Sequence, residues 1–307
     1  MIRKAVLATI AYYDALDYPL TEFETWKHLI VDQSEVSFGV PTLGQVAGTV
    51  DRLEAEGVIA RFSGFVMLTG REALVQGRIR GEKRSISKIR RAARLVRGIA
   101  WVPFVRMIAL TGSLSMKRGD GESDWDLFVV LSRGAIWRGR TLLSIVLQLL
   151  GKRRHGRHVE NRACLNHFVT DGSLEIAMQD YFSASEYRFM YTLSGREMER
   201  RFELVNRWIA RIKPNYLPTE IPNFWLRQAS PAFLKIQAKL EWAFSWQGWE
   251  RMLSHWQKKK IERNPKSRIP GAFIVANDTA LIFLPHPKGP AVFERFKERI
   301  AAHGLFA

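Results

Sequence analysis

The sequence holds a single cysteine, Cys164. An intrachain disulfide is therefore excluded, and so is a structural zinc cluster built on several thiolates. Long apolar runs are missing too. The longest, Thr141 to Leu150, falls well short of the roughly 20 residues that a membrane-spanning helix needs, so no transmembrane segment is expected. The opening residues, MIRKAVLATIAYYDALDYP, contain an apolar stretch that polar and acidic side chains soon interrupt. They predict a helix rather than a signal peptide, and a cytoplasmic protein. Internal repeats and low-complexity tracts are absent. Acids are scarce relative to bases: 30 Asp and Glu against 47 Lys and Arg leave a net charge of +17. That excess favours polyanionic partners such as nucleic acid, nucleotide or an anionic membrane. What remains is ordinary globular material, 47% apolar and 25% charged over 307 residues, enough for two or three packed domains.

Residues 1–70 have the rhythm of a small helical domain closed by a hairpin. Ile2 to Leu16 predicts a helix, broken by Asp17-Tyr-Pro-Leu20. Thr21-Glu-Phe-Glu24 has the form of a capping box that opens a second helix through Ile30. After a polar loop, Thr42-Leu-Gly-Gln45 opens a third helix ending near Gly57. Val58 to Phe62 and Phe65 to Leu68 flank Ser63-Gly64, a two-residue turn signal. Three helices and a β-hairpin resemble a winged helix. Its third helix would be the DNA-reading one, yet here it carries Asp51, Glu54 and Glu56 with Arg52 as its one base, a poor match to phosphate.

Residues 71–190 have a different pattern. Between Arg71 and Arg97 runs a cation-rich helical lead-in with Arg78, Arg80, Lys83, Arg84, Lys88, Arg90, Arg91, Arg94 and Arg97. Ile86, Ile89, Ala93 and Val96 fall at helical spacing, which predicts one packed face and one basic ridge leading into the loop that follows. Val105 to Leu110, Leu127 to Leu131 and Ala163 to Val169 are strand-length apolar runs, with a helix over Ile136 to Leu150. The order strand, loop, strand, helix, strand makes a mixed α/β unit. Residues 191–307 predict a helical region with a hairpin near 272–284 around Asn277-Asp278.

The chemistry concentrates in ALTGSLSMKRGDGESDWDLFVV, residues 109–130. Alternate residues of a strand share a face, so Asp124 and Asp126 would present two carboxylates together while Trp125 points away. Paired carboxylates of this kind hold Mg²⁺, which keeps water and substrate phosphates as its other ligands. Upstream, Gly112 lets backbone approach a phosphate closely, and Ser113 adds a hydroxyl and an N–H. Lys117 and Arg118, next along the loop, complete the candidate phosphate-binding set.

These residues resemble the DNA polymerase β-like nucleotidyltransferase superfamily, particularly its compact bacterial members. Its signature is an apolar residue, Gly, Gly or Ser, about ten variable residues, and Asp-apolar-Asp/Glu-apolar. Here it stands as Leu110-Thr-Gly112-Ser113, ten residues, then Asp124-Trp-Asp126-Leu127, with a Gly119-Asp-Gly121 turn and Ser123 just before the acids. The resemblance covers roughly residues 86–185. It implies an α/β (α+β) nucleotidyltransferase core with a mixed sheet, Gly112 and Ser113 holding the triphosphate, and Asp124 and Asp126 as catalytic ligands of one or two Mg²⁺ ions. The reaction implied moves a nucleoside monophosphate from an NTP to an acceptor: protein, RNA or small molecule. The family places a third carboxylate on a later strand. Ala163 to Val169 has none; Asn166 stands where it is expected and is the nearest stand-in for a third ligand, unless Glu175 or Asp180 folds back. A nucleic-acid-binding regulator with an inactive transferase domain is the rival expectation.

Two further features compete for attention. His155, His158 and His167 lie near Cys164, but their spacing fits no structural zinc pattern; the run GKRRHGRH, residues 151–158, predicts a basic loop able to touch phosphates. Trp242, Trp246, Trp249, Leu253 and Trp256, alternately four and three apart, predict one helical stripe packed in a core or domain interface, with base stacking or membrane docking as the alternative.

Overall fold

A computed structural model of the chain describes residues 2–31, 39–215, 226 and 229–303. The polar loop expected before Thr42 falls mostly on residues 32–38, outside the described residues. Among the described residues the architecture is mixed α/β: twelve α-helices, a six-stranded mixed sheet and a small antiparallel sheet.

Helix α1 (Ile2–Ala15) precedes β1 (Leu20–Thr21) and α2 (Glu22–Lys27). The capping box forms as expected: Thr21 accepts from the Glu24 N–H while Glu24 accepts from the Thr21 N–H. Helix α2 nevertheless stops at Lys27, short of the expected Ile30. The following residues, Leu29, Ile30 and Val31, are buried, and their backbone is claimed from outside the helix. The Ile30 N–H donates to the Thr9 hydroxyl and the Val31 N–H to the Ile212 carbonyl. Tertiary burial overrides local helix preference here. A second capping box at Thr42 and Gln45 opens α3 (Leu43–Ala55). Strands β2 (Ile59–Phe62) and β3 (Phe65–Leu68) then form a hairpin, with β1 beside β3. Ser63 and Gly64 both have positive φ, the backbone that a two-residue hairpin turn requires.

Helix α4 (Leu74–Gly98) buries Val75, Ser85, Ile89, Ala92 and Val96. Its cations do not all line the ridge. Arg78 turns inward onto Glu24, Glu82 and the Tyr18 ring, and Lys88 donates to the carbonyls of Gly121 and Ser123. Strands β4 (Val105–Leu110), β5 (Trp125–Leu131) and β6 (Ala163–Thr170) form the sheet centre, with the short α5 (Gly112–Ser115) after β4 and α6 (Ile136–Leu149) between β5 and β6. Next come α7 (Tyr181–Arg188), β7 (Tyr191–Ser194), α8 (Arg196–Val205) and α9 (Trp208–Ile212). The last elements are α10 (Pro231–Ala243), α11 (Gln247–Glu262), β8 (Phe273–Ala276), β9 (Ala280–Leu284) and α12 (Lys288–Ala302).

The sheet order is β7-β4-β5-β6-β9-β8; β5 and β6 are parallel and every other pair is antiparallel. Three strands from residues 191–307 thus complete the sheet begun by residues 105–170. Period-two alternation sends the strand residues into two cores. Met107, Ala109, Phe128 and Val130 pack against Tyr12, Tyr187, Phe202 and Phe296 on one face. Ile108, Leu110, Leu127 and Val129 pack with Ile89, Val96, Trp137 and Leu147 on the other. Truncating a fully buried ring such as Phe128 would cost about 3–5 kcal/mol.

The tryptophan stripe departs from expectation. The chain breaks between α10 and α11 at residues 244–246, and Trp242, Trp246, Trp249 and Trp256 are exposed. Leu253 of the same stripe does pack against a core, but the tryptophans do not, because the inward side of both helices is otherwise occupied by Gln237, Glu241, Glu250 and Gln257, hydrogen-bonded to the sheet and α6.

Candidate functional site

The alternation that fills the two cores also sets the carboxylates. Trp125 belongs to the α4 and α6 face with Leu127 and Val129, so Asp126 emerges on the opposite face, toward α7. The Thr111 N–H donates to the Asp126 carbonyl at 2.9 Å, and at the next residue the chain turns sharply. Gly112 takes φ +71°, and a Cβ on it would lie 2.4 Å from Asp126 Oδ2. Only glycine fits both the conformation and the space. The loop onward to Asp124 is tied to α4: Gly119 N–H donates to Ser85 Oγ at 2.9 Å, and Lys88 holds the Gly121 and Ser123 carbonyls.

Asp124, Asp126 and Cys164 form the one group of metal-ligating side chains among the described residues, each offering a ligand atom within 4.8 Å of the others. Cys164 enters because β5 and β6 are parallel and their register sets it beside Asp126. Burial, reinforced by the Asp124 charge, pushes Asp126 up to about 6. Burial and then the two aspartates push the Cys164 thiol up to about 12, so at neutral pH it is a neutral thiol. Arg154 of the basic loop spans the cluster, 2.5 Å from Asp124 Oδ2 and 3.6 Å from Cys164 Sγ. A cation is thus already drawn to the point where the two carboxylates open.

The site residues expected from sequence separate into three groups. Gly112, Ser113, Arg118, Asp124 and Asp126 line one cleft of about 1330 Å³, more than the roughly 300–1,000 Å³ of most small-ligand sites. Asn166 lines it too, and its Nδ2 donates to Asp126 Oδ1 at 3.1 Å, which orients the carboxylate. Lys117, at a positive φ of 56°, is turned away from the cleft and pairs with Glu82 of α4 at 2.8 Å. The exposed cations of α4 also miss the cleft. Arg91 and Arg94 border a separate hollow with Trp125, Lys152 and Asn161, on the side of β5 opposite Asp126.

Glu175 lines the same cleft from an exposed position, whereas Asp180 caps α7 by accepting from the Ser183 N–H. A carboxyl that sequence did not single out also lines the cleft: Glu186 of α7, pushed up to about 7 by burial and then by Asp126, with the Gly112 backbone hydrogen-bonding to it. Nothing in sequence marks Glu186, since its helix returns to the site only through tertiary packing. Lys288, first residue of α12, also lines the cleft and offsets the charge of Asp126 and Glu186. His155 and His167 border the cleft as well, but neither they nor His158 join the ligand group of the two aspartates. His155 and His158 face each other across a backbone bridge, while burial against Phe128 and Tyr187 draws His167 down to about 4.

Compared with protein-family models, with curated proteins and with solved structures, the chain matches none.

Proposed function

We propose that the chain is a nucleotidyltransferase, transferring a nucleoside monophosphate from an NTP to an acceptor hydroxyl. The observation that carries this reading is the contact between the Gly112–Ser113 turn and Asp126 in a cleft that also holds Asp124, Arg154 and Lys288. A phosphate-approaching backbone turn and a carboxylate pair are thus brought together by residues fourteen positions apart, which is the arrangement the sequence motif implies.

The two carboxylates suit Mg²⁺: Asp124 and Asp126 would supply hard oxygen ligands, which that ion completes with water and phosphate oxygens, and the neutral thiol of Cys164 beside them would not be needed. Held there, the ion would bind phosphate oxygens and offset the charge that builds on them. The chain does the rest. The Gly112 and Ser113 backbone approaches the triphosphate, and Arg118, Arg154 and Lys288 contribute positive charge along the cleft. Asn166 fixes the Asp126 carboxylate by hydrogen bonding one of its oxygens. The acceptor oxygen forms a new bond to the α-phosphorus, the bond to the leaving pyrophosphate breaks, and the hydroxyl proton passes to Glu186. In this reading residues 71–190 are the transferase core and residues 1–70 a winged-helix module.

A second reading is favoured by the β6 strand, which offers a neutral thiol and an amide where the family places an acid. The chain would then bind nucleotide and nucleic acid without transfer. Incubation with α-labelled NTP and cell extract separates the two. Covalent nucleotide on protein or RNA supports transfer; salt-dependent duplex binding with no covalent label supports the regulator.

A further inference from the structure

Helices α10 and α11 are largely inside out. Surface helices normally bury an apolar stripe and show a polar one, yet α10 buries no residue and α11 buries only Gln257. Leu253 and Ile261 of α11 pack against the core beneath, but most inward contacts are polar. Gln237 donates to the carbonyls of Val102 and Val105, and Glu241 accepts from the Phe104 N–H and from Arg106. Glu250 accepts from the N–H groups of Trp137 and Arg138, and Gln257 donates to Thr141 Oγ1. Many of the large apolar side chains face outward: Trp242 is 82% exposed, Trp246 67%, Trp256 56%, Met252 52% and Leu234 51%. Leu149, at the end of the adjoining α6, is 82% exposed and, like Trp256, borders the outer part of the cleft that holds Asp124 and Asp126.

Charge is sorted in the same direction. Of the three acids on these helices, Glu241 and Glu250 are drawn inward by Arg106 and Arg138, leaving Glu262. Lys235, Lys239, Arg251, Lys259 and Lys260 are exposed, and Lys260 Nζ stands 5.2 Å from the Trp256 ring centroid. We infer that the outer face of α10 and α11 docks the protein on an anionic lipid bilayer. Tryptophan rings favour the membrane–water boundary, where one edge is apolar and the other wet, and the lysines meet the lipid phosphates. No helix among the described residues is long and apolar enough to cross a membrane, so the helices would lie on the surface. A second copy fits the face poorly, because two cationic surfaces would be brought together. Nucleic acid would leave Leu234, Met252 and Leu149 without a partner.

Sedimentation of the full chain with vesicles tests this inference independently of any transferase activity. Binding is expected to vesicles containing phosphatidylglycerol, to fall as salt screens the charges, and to be weak with phosphatidylcholine alone. Trp242→Ser with Trp256→Ser should lower partitioning by about tenfold or more. Lys259→Gln and Lys260→Gln should each lower it roughly fivefold. All four side chains are exposed, so melting temperatures should match the parent. Absence of binding to the anionic vesicles, or equal partitioning of parent and variants, would overturn the inference. So would a dimer or single-stranded DNA complex that the tryptophan variants abolish while vesicles capture neither protein.

Discussion

Gly112 and Asp126 are packed so closely that a Cβ on the glycine would sit 2.4 Å from the carboxylate Oδ2. Their contact holds the phosphate-approaching turn against the deeper of the two aspartates. Gly112→Ala must place Cβ in that gap and also keep φ at +71°. The expected result is a loss of about 1–3 kcal/mol of stability, seen as a lowered melting temperature, together with loss of Mg²⁺-dependent NTP binding. Parent-like stability and binding would show that the turn and the carboxylate are independent.

Arg154 competes with any metal for Asp124. Its side chain is 44% exposed, so the pair is screened and easily displaced. Arg154→Gln should raise Mg²⁺ affinity in the absence of nucleotide by about two- to fivefold, measured by calorimetry. With NTP present the gain should shrink, since the same guanidinium is then lost to the phosphates.

Glu186 separates binding from transfer. Glu186→Gln preserves size and the contact with Gly112 but cannot accept the acceptor's proton. Transfer should fall by about 10²–10⁴-fold while NTP affinity changes little. Equal losses in both would assign Glu186 to structure instead.

Lys213 gives a pH signature remote from the site. Its ammonium is buried against Tyr13 Oη at 2.9 Å, and burial draws it from 10.5 down to about 7. Between those values the unfolded chain holds a proton that the native lysine does not. Stability therefore rises with pH through this window, and the cost of the buried charge is complete below it. Lys213→Met should raise the melting temperature at about pH 6 and flatten its rise toward about pH 9.5. A parallel shift at every pH would contradict the assignment.

Much of the frame was legible because it is written in local chemistry. The capping boxes at Thr21 and Thr42, the Ser63-Gly64 turn and the apolar runs of β4 to β6 depend on neighbours in sequence. Gly112, Ser113, Asp124 and Asp126 were recoverable for the same reason: one loop contains them. What sequence could not supply was pairing and return. Cys164 meets Asp126 only through the parallel register of β6, and Glu186 arrives on a helix that carries no motif. Periodicity also misplaced the tryptophans, because spacing identifies a stripe but not which way it faces. There the polar contacts of Glu241 and Glu250 decided the orientation.

The central claim is that Asp124 and Asp126 hold Mg²⁺ against a nucleoside triphosphate. Calorimetric titration of a nonhydrolysable NTP, with and without Mg²⁺, tests it on the parent and on the Asp124→Ala, Asp126→Ala double variant. The expected result is metal-dependent binding to the parent and none to the variant, whose circular dichroism stays native. Unchanged Mg²⁺-dependent binding in the variant would contradict the site.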